Sequence, residues 1–250
     1  IYSVGMAGDP TIVLIHGGGT SAGFWDRLVP HLDAPAIAID LPGRAGKPAD
    51  PMTFTVAEGV ASIVVDIGAA DPVILVAHSS GGLFVPGVAA AIAPRVVAIV
   101  LSAASVPPEG GCGLDCMKPK HRDRVVAGIE AARRDGWVLT TPGAPDDPEV
   151  MRTAYGIEID DETLEFVNDP ARAIKDSMNF YFQPVSWATV GPVPVTYVKN
   201  LRDRAVPPDL QDEMMARLPY GCTVIELDTG HVPAVTDPAE FAAIVNGVAR

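Results

Sequence analysis

Six short runs rich in valine and isoleucine constrain this chain more than any other feature. They cover residues 11–16, 36–40, 73–77, 96–101, 193–198 and 223–227, and each is bounded by Gly, Pro or Asp. None shows the polar alternation of a strand with one wet face, so both faces of each must be covered. Longer amphipathic stretches lie between them, at 24–31, 56–68, 82–92, 208–217 and 238–248. The last opens on Asp237-Pro238, with proline at the first helical position. Strand and helix in alternation predict an α/β fold: a mostly parallel sheet with helices on both faces.

The alternation stops between Ser102 and Val193. Residues 103–192 are rich in charge and proline and hold helix-like stretches at 122–135, 149–155, 161–167 and 170–180, but no convincing strand. Aromatic residues collect there, among them Trp137, Tyr155, Phe166, Phe180 and Tyr181. An insert of this kind between two strands predicts a helical cap, 103–192, over a core of 1–102 and 193–250. Its aromatics either pack the cap onto the core or line a pocket.

At 250 residues the chain suffices for one domain with such an insert. Its 48% apolar and 20% charged content is that of an ordinary globular protein. A net charge of −13 argues against a nucleic-acid partner, because a polyanion is repelled. No apolar run approaches the roughly 18–20 residues of a spanning helix, and no membrane association is expected. Ile1 opens the sequence and no charged segment with an apolar follower precedes Thr11, so a cytoplasmic location is expected, with a removed leader as the alternative. Three cysteines make no disulfide framework. Cys112 and Cys116 read as a local disulfide or two free thiols; joined by His121 they would still lack a fourth metal ligand.

The chemistry concentrates in Val73-Ile-Leu-Val-Ala-His-Ser-Ser-Gly-Gly82. An apolar strand runs into a small-x-Ser-x-small turn and then a helix-compatible segment, the form of a nucleophile elbow. Ala77 and Gly81 flank Ser79 as the tight turn requires. Ser80 as nucleophile would put bulky His78 at a position that takes only a small residue. A serine hydroxyl needs a base oriented by a carboxylate. His231, on a Gly-containing loop after the last strand, is the candidate base. Asp203, on the loop after the preceding strand, is the candidate acid, with Asp228 and Glu109 as rivals. His16-Gly-Gly-Gly19 follows the first strand, and the N–H of Gly18, with Gly19 as alternative, would join that of Ser80 as an oxyanion hole.

Taken together, these motifs resemble the α/β-hydrolase superfamily with a helical cap, over nearly the full length. Asp40-Leu-Pro-Gly-Arg44 resembles the family's Asp-x-x-Gly-His/Arg turn, and Gly-Thr-Ser-Ala-Gly-Phe-Trp25 the stretch after its oxyanion loop. Ala77 stands where the family usually has Gly, and the opening hairpin is reduced, at most, to residues 1–4. The resemblance implies a serine hydrolase acting on a small ester, lactone or related carbonyl compound, without metal or organic cofactor. It also implies structural roles for His16 and His78, and leaves Arg44 at the pocket mouth or on the surface. Hydroxynitrile lyase-like, C–C hydrolase or cyclase chemistry on the same three side chains, and a catalytically silent ligand receptor, are the alternatives. Oligomeric state and the particular substrate stay open.

Overall fold

The computed structural model describes residues 8–140, 149–156 and 159–250. The region 1–4, suggested as a remnant hairpin, lies outside the described residues. In chain order the elements are β1 (Thr11–Ile15), β2 (Ala36–Ile39), α1 (Val56–Ile67), β3 (Val73–His78), α2 (Val85–Ile92) and β4 (Val96–Ser102). Then come α3 (Pro119–Asp135), α4 (Glu149–Ala154), α5 (Asp161–Asn168), β5 (Val195–Asn200), α6 (Pro208–Ala216), β6 (Thr223–Leu227), α7 (Pro233–Thr236) and α8 (Pro238–Val248). All six strands form one sheet in the order β2-β1-β3-β4-β5-β6, and every neighbouring pair is parallel.

Successive strand residues point to opposite faces, and in the inner strands β1, β3 and β4 both faces are largely dry. The edge strand β6 is mostly exposed, Val224 included, so the expected cover on both its faces is not met. Val13, Ile15 and Leu75 pack on one side with Phe84, Phe180 and Trp187. Ile12, Leu14, Ile74 and Val76 pack on the other with Trp25, Phe241 and Val245. Double-sided burial is why the inner strands read as unbroken apolar runs.

From β1 the chain steps outward to β2, then returns across β1 to lay down β3 on its other side. The loops leaving β1 and β3 therefore diverge and open a crevice at the strands' carboxyl ends, where sites collect in such sheets. His16-Gly-Gly-Gly19 and Ser79 occupy those two loops.

Three expected helices depart from the sequence reading. Residues 24–31 form two short 3₁₀ turns, Ala22–Trp25 and Val29–His31, because Pro30 lacks an N–H and restricts the residue before it. The helix after Ser79 starts only at Val85, following a 3₁₀ turn over Ser79–Leu83. Residues 170–180 form no helix; the segment runs irregularly to a 3₁₀ turn at Asn179–Phe182. Its backbone is spent elsewhere, since the Ile174 N–H donates to Gly19 O at 2.8 Å. Between β4 and β5, among the described residues, lie α3, α4, α5 and short turns, with one isolated antiparallel bridge between Thr140 and Ser177.

α1 begins at a capping box, Thr55 and Glu58 bonding each other's backbone N–H. One turn in, it meets α2 at Gly59, where an added Cβ would lie 2.3 Å from the fully buried Phe84 ring. Gly59→Ala should therefore destabilise by about 1–3 kcal/mol through overpacking, outweighing the ~1 kcal/mol that alanine gains in a helix. Urea unfolding of the pair measures this; a more stable variant would show that the α1–α2 contact is loose.

Candidate active site

Ser79 follows the last residue of β3 and holds a left-handed backbone, φ 50°, although it carries a side chain. Such a residue costs on the order of 1–3 kcal/mol and persists only where its surroundings enforce it. Here they do. The Ser105 N–H donates to Ser79 O at 2.8 Å. At Gly81 an added Cβ would sit 2.7 Å from both Ile15 O and His16 O, so the turn is wedged against β1 and admits only glycine. Ser79 stays partly accessible while Ser80 is buried, in keeping with Ser79 as the reactive hydroxyl of the two.

His231 sits on the loop after β6. Its Nδ1 is 2.7 Å from Asp203 Oδ2, and both side chains are buried. Asp203 Oδ1 also accepts the Val206 N–H at 2.8 Å, so the carboxylate is held from two sides. The sequence rivals lie elsewhere. Asp228 pairs with Arg202, well exposed, and Glu109 is an exposed acceptor for Ser186 and Ala188. Ser79 and His231 line one cavity of about 250 Å³ together with Gly18, Gly19 and Thr20. Among the described residues no hydrogen bond joins the Ser79 hydroxyl to the imidazole. Contacts of this kind are often long without substrate and tighten when it is bound.

The glycine loop after β1 is fastened along its length. Gly19 N–H reaches Asp176 Oδ2 at 3.4 Å and Ser21 Oγ donates to Ala171 O at 2.8 Å. The Arg44 Nε donates to Thr20 O at 2.8 Å, and Ala22 N–H to Asp40 Oδ1 at 2.9 Å. Arg44 thus lies neither at the pocket mouth nor on the surface. It is buried behind the loop in an ion pair with Asp176, Nη2 to Oδ2 at 2.6 Å. Burial pushes the Asp176 carboxyl up, opposed by the Arg44 charge. Sequence pattern gave no sign of this pair, because its members are 132 residues apart and each looks like a surface charge.

His16 and His78 are structural. His16 Nδ1 donates to Gly17 O at 2.7 Å, which leaves Nε2 to accept the Leu41 N–H at 3.5 Å. Burial first, then the Arg44 charge, lower its pKa to about 3. His78 Nε2 donates to His231 O at 2.8 Å, and burial again, with the neighbouring His231, holds its pKa well below the usual value. The thiols of Cys112, Cys116 and Cys222 are free, and burial pushes that of Cys116 up to about 12. Among the described residues no group of three His, Cys, Asp or Glu is placed to hold a metal ion, and no helix is long and apolar enough to cross a membrane.

Helices on a parallel sheet, a left-handed serine after the central strand and a buried acid–imidazole pair at the crevice define a hydrolase architecture. The model of the alpha/beta hydrolase family matches residues 12–244, and the chain belongs to that family. It is 28% identical to Lipase LipV of Mycobacterium tuberculosis, over 98% of this chain and 95% of the relative. Among solved structures it resembles an extracellular α/β-hydrolase from a Paenibacillus species, with TM-score 0.80 and 20% identity over 96% of this chain and 99% of the other. A pyrethroid hydrolase from Sphingobium faniae JZ-2 is similar at TM-score 0.75 and 20% identity, over 96% and 97% of the two chains.

His16 and His78 are neutral when folded and titrate near 6.5 when unfolded. Below that value the unfolded state binds more protons, so each imidazole removes stability as pH falls, by ~1.4 kcal/mol per pH unit at most. His78→Gln keeps a donor for His231 O but no proton to gain. Its unfolding free energy should fall less steeply than wild type between pH 6 and 5, by ~1 kcal/mol per unit. Equal slopes in urea titrations would mean His78 is not held neutral.

Proposed function

We propose that this chain hydrolyses a small carboxylic ester through Ser79, His231 and Asp203, by way of an acyl-enzyme. The reading is carried by one juxtaposition: a left-handed Ser79 on the same cavity wall as an imidazole whose far nitrogen is bound to a buried carboxylate. His231 Nε2 takes the hydroxyl proton as Ser79 Oγ attacks the carbonyl carbon. Asp203 accepts the Nδ1–H, fixes the tautomer and stabilises the imidazolium. His231 then passes the proton to the leaving alcohol, and the acyl group is released to a water that His231 activates.

The carbonyl oxygen gains negative charge in this step and is received by the N–H groups of Gly18 and Ser80. Gly18 is favoured over Gly19 because the Gly19 N–H is directed at Asp176. Ser80 N–H opens the turn after β3, where backbone amides point outward. Residues 103–192 act as the cap that closes this site. The relatives named as a lipase and a pyrethroid hydrolase support an ester as substrate. The lyase alternative lacks a lysine at the site among the described residues, since Lys199 is paired with Asp212.

Ser79→Ala should lower turnover of p-nitrophenyl acetate by about 10³-fold or more with the melting temperature preserved, and Asp203→Asn should lower kcat by about 10⁴-fold. Wild-type rates in a folded Ser79→Ala protein would remove the ester mechanism. A fluorophosphonate adduct on Ser79 without turnover of any ester would point to proton-transfer chemistry instead.

A further inference from the structure

Tyr155 belongs to none of the roles assigned so far, yet it stands on the cavity wall beside the base. Its ring centre is 6.1 Å from that of His231, with planes 29° apart. Its carbonyl accepts the His231 N–H at 2.7 Å, so the residue is held there by the loop it faces. The next residue, Gly156, has φ 86°, and a Cβ on it would lie 2.0 Å from Arg202 O, so this turn is seated directly on the acid loop. Tyr155 is half-buried, and among the described residues its hydroxyl makes no hydrogen bond, so it keeps a donor for a molecule in the cavity it lines.

The walls around it are aromatic and uncharged in effect. Phe24 stacks on His78 at 4.7 Å, and Phe166 is fixed between the guanidinium groups of Arg27 and Arg172 at 4.6 and 4.0 Å. Arg172 also lines the cavity, but its donors are committed to Gly23 O, Asp169 and Asp26, whose two carboxylates neutralise it. No uncommitted cation lines the cavity among the described residues. A carboxylate entering it would lose its water without gaining a partner.

We propose that Phe24, Tyr155 and Phe166 form the leaving-group side of the site, and that it selects uncharged aryl esters carrying a hydrogen-bond acceptor for the Tyr155 hydroxyl. The proposal rests on the ester reading for its orientation: His231 must touch the leaving oxygen, so Tyr155, which borders its ring, borders the leaving alcohol, and Phe24 and Phe166 line the same cavity. The volume of about 250 Å³ lies just below the roughly 300–1,000 Å³ of drug-sized pockets, which suits a single-ring alcohol.

Three acetate esters test this, those of phenol, 3-hydroxyacetophenone and 3-hydroxybenzoate, each assayed with wild type and Tyr155→Phe. The ratio between enzymes cancels the esters' intrinsic reactivity. Tyr155→Phe should lose about threefold to tenfold more in kcat/KM on the ketone ester than on phenyl acetate, the worth of one hydrogen bond. Wild type should turn over the carboxylate ester at least about tenfold more slowly than the ketone ester. Calorimetry with the free phenols reads the same wall without catalysis: 3-hydroxyacetophenone should bind, more weakly to Tyr155→Phe, and 3-hydroxybenzoate should not. Equal losses on phenyl and ketone esters, or tight binding of the carboxylate, would overturn the proposal. Tyrosine-dependent binding of the ketone with no turnover of any ester would sink the hydrolase reading and leave the wall's selectivity standing.

Discussion

Ser79 can hold a left-handed backbone only because the strand before it is locked on both edges. β3 pairs with β1 along five residues and with β4 along six, and every one of its side chains is buried. Strain of on the order of 1–3 kcal/mol at one residue is small against the burial of a central strand, at roughly 25 cal/mol per Å² of apolar surface. The same rigidity sets the other components. Gly81 presses on the carbonyls of Ile15 and His16, so the turn after β3 fixes the exit of the glycine loop after β1. Ser79 and the glycine loop are thereby positioned by one contact between two backbones.

The glycine loop has little apolar side-chain area to hold it, and the segment 171–176 compensates with hydrogen bonds. Ala171, Ile174 and Asp176 each bond a residue between Gly19 and Ser21. Behind them lies the buried Arg44–Asp176 pair. Two charges taken out of water gain little net stability, but removing one partner leaves the other stranded at a cost of about 3–5 kcal/mol. A pair of this kind specifies one arrangement of the loop more than it stabilises the fold. The segment 171–176 is for that reason part of the candidate site's framework.

The inner strands were legible because burial on both faces writes itself into composition as valine and isoleucine, and the six predicted runs agree with the observed strands within two residues. The positions of Ser79, His231 and Asp203 in the fold were legible because each follows a strand in a turn whose glycines or neighbours restrict what fits. What escaped has a common cause. Helical pattern at 24–31 and 170–180 reports local preference, whereas Pro30 and the hydrogen bonds of Ile174 and Ala171 to a distant loop decided the backbone there. Arg44 read as a surface or pocket residue because its partner is remote in sequence. Tyr155 was one aromatic among several in the insert, with nothing local to mark which of them faces the cavity and which, like Phe180 and Trp187, fill the core.

The placement of His231 shows how these levels meet. Its N–H is held by Tyr155 O and its carbonyl by His78 Nε2, so the backbone is pinned on both sides by residues from the insert and the central strand. Its Nδ1 is held by Asp203, whose loop carries the weight of Gly156. The imidazole therefore has one free atom, Nε2, and its direction follows from three fixed ones. Burial keeps His78 neutral, and the bond to His231 O places its single ring proton on Nε2. A shift at Tyr155–Gly156 would therefore move the Asp203 loop and His231 together.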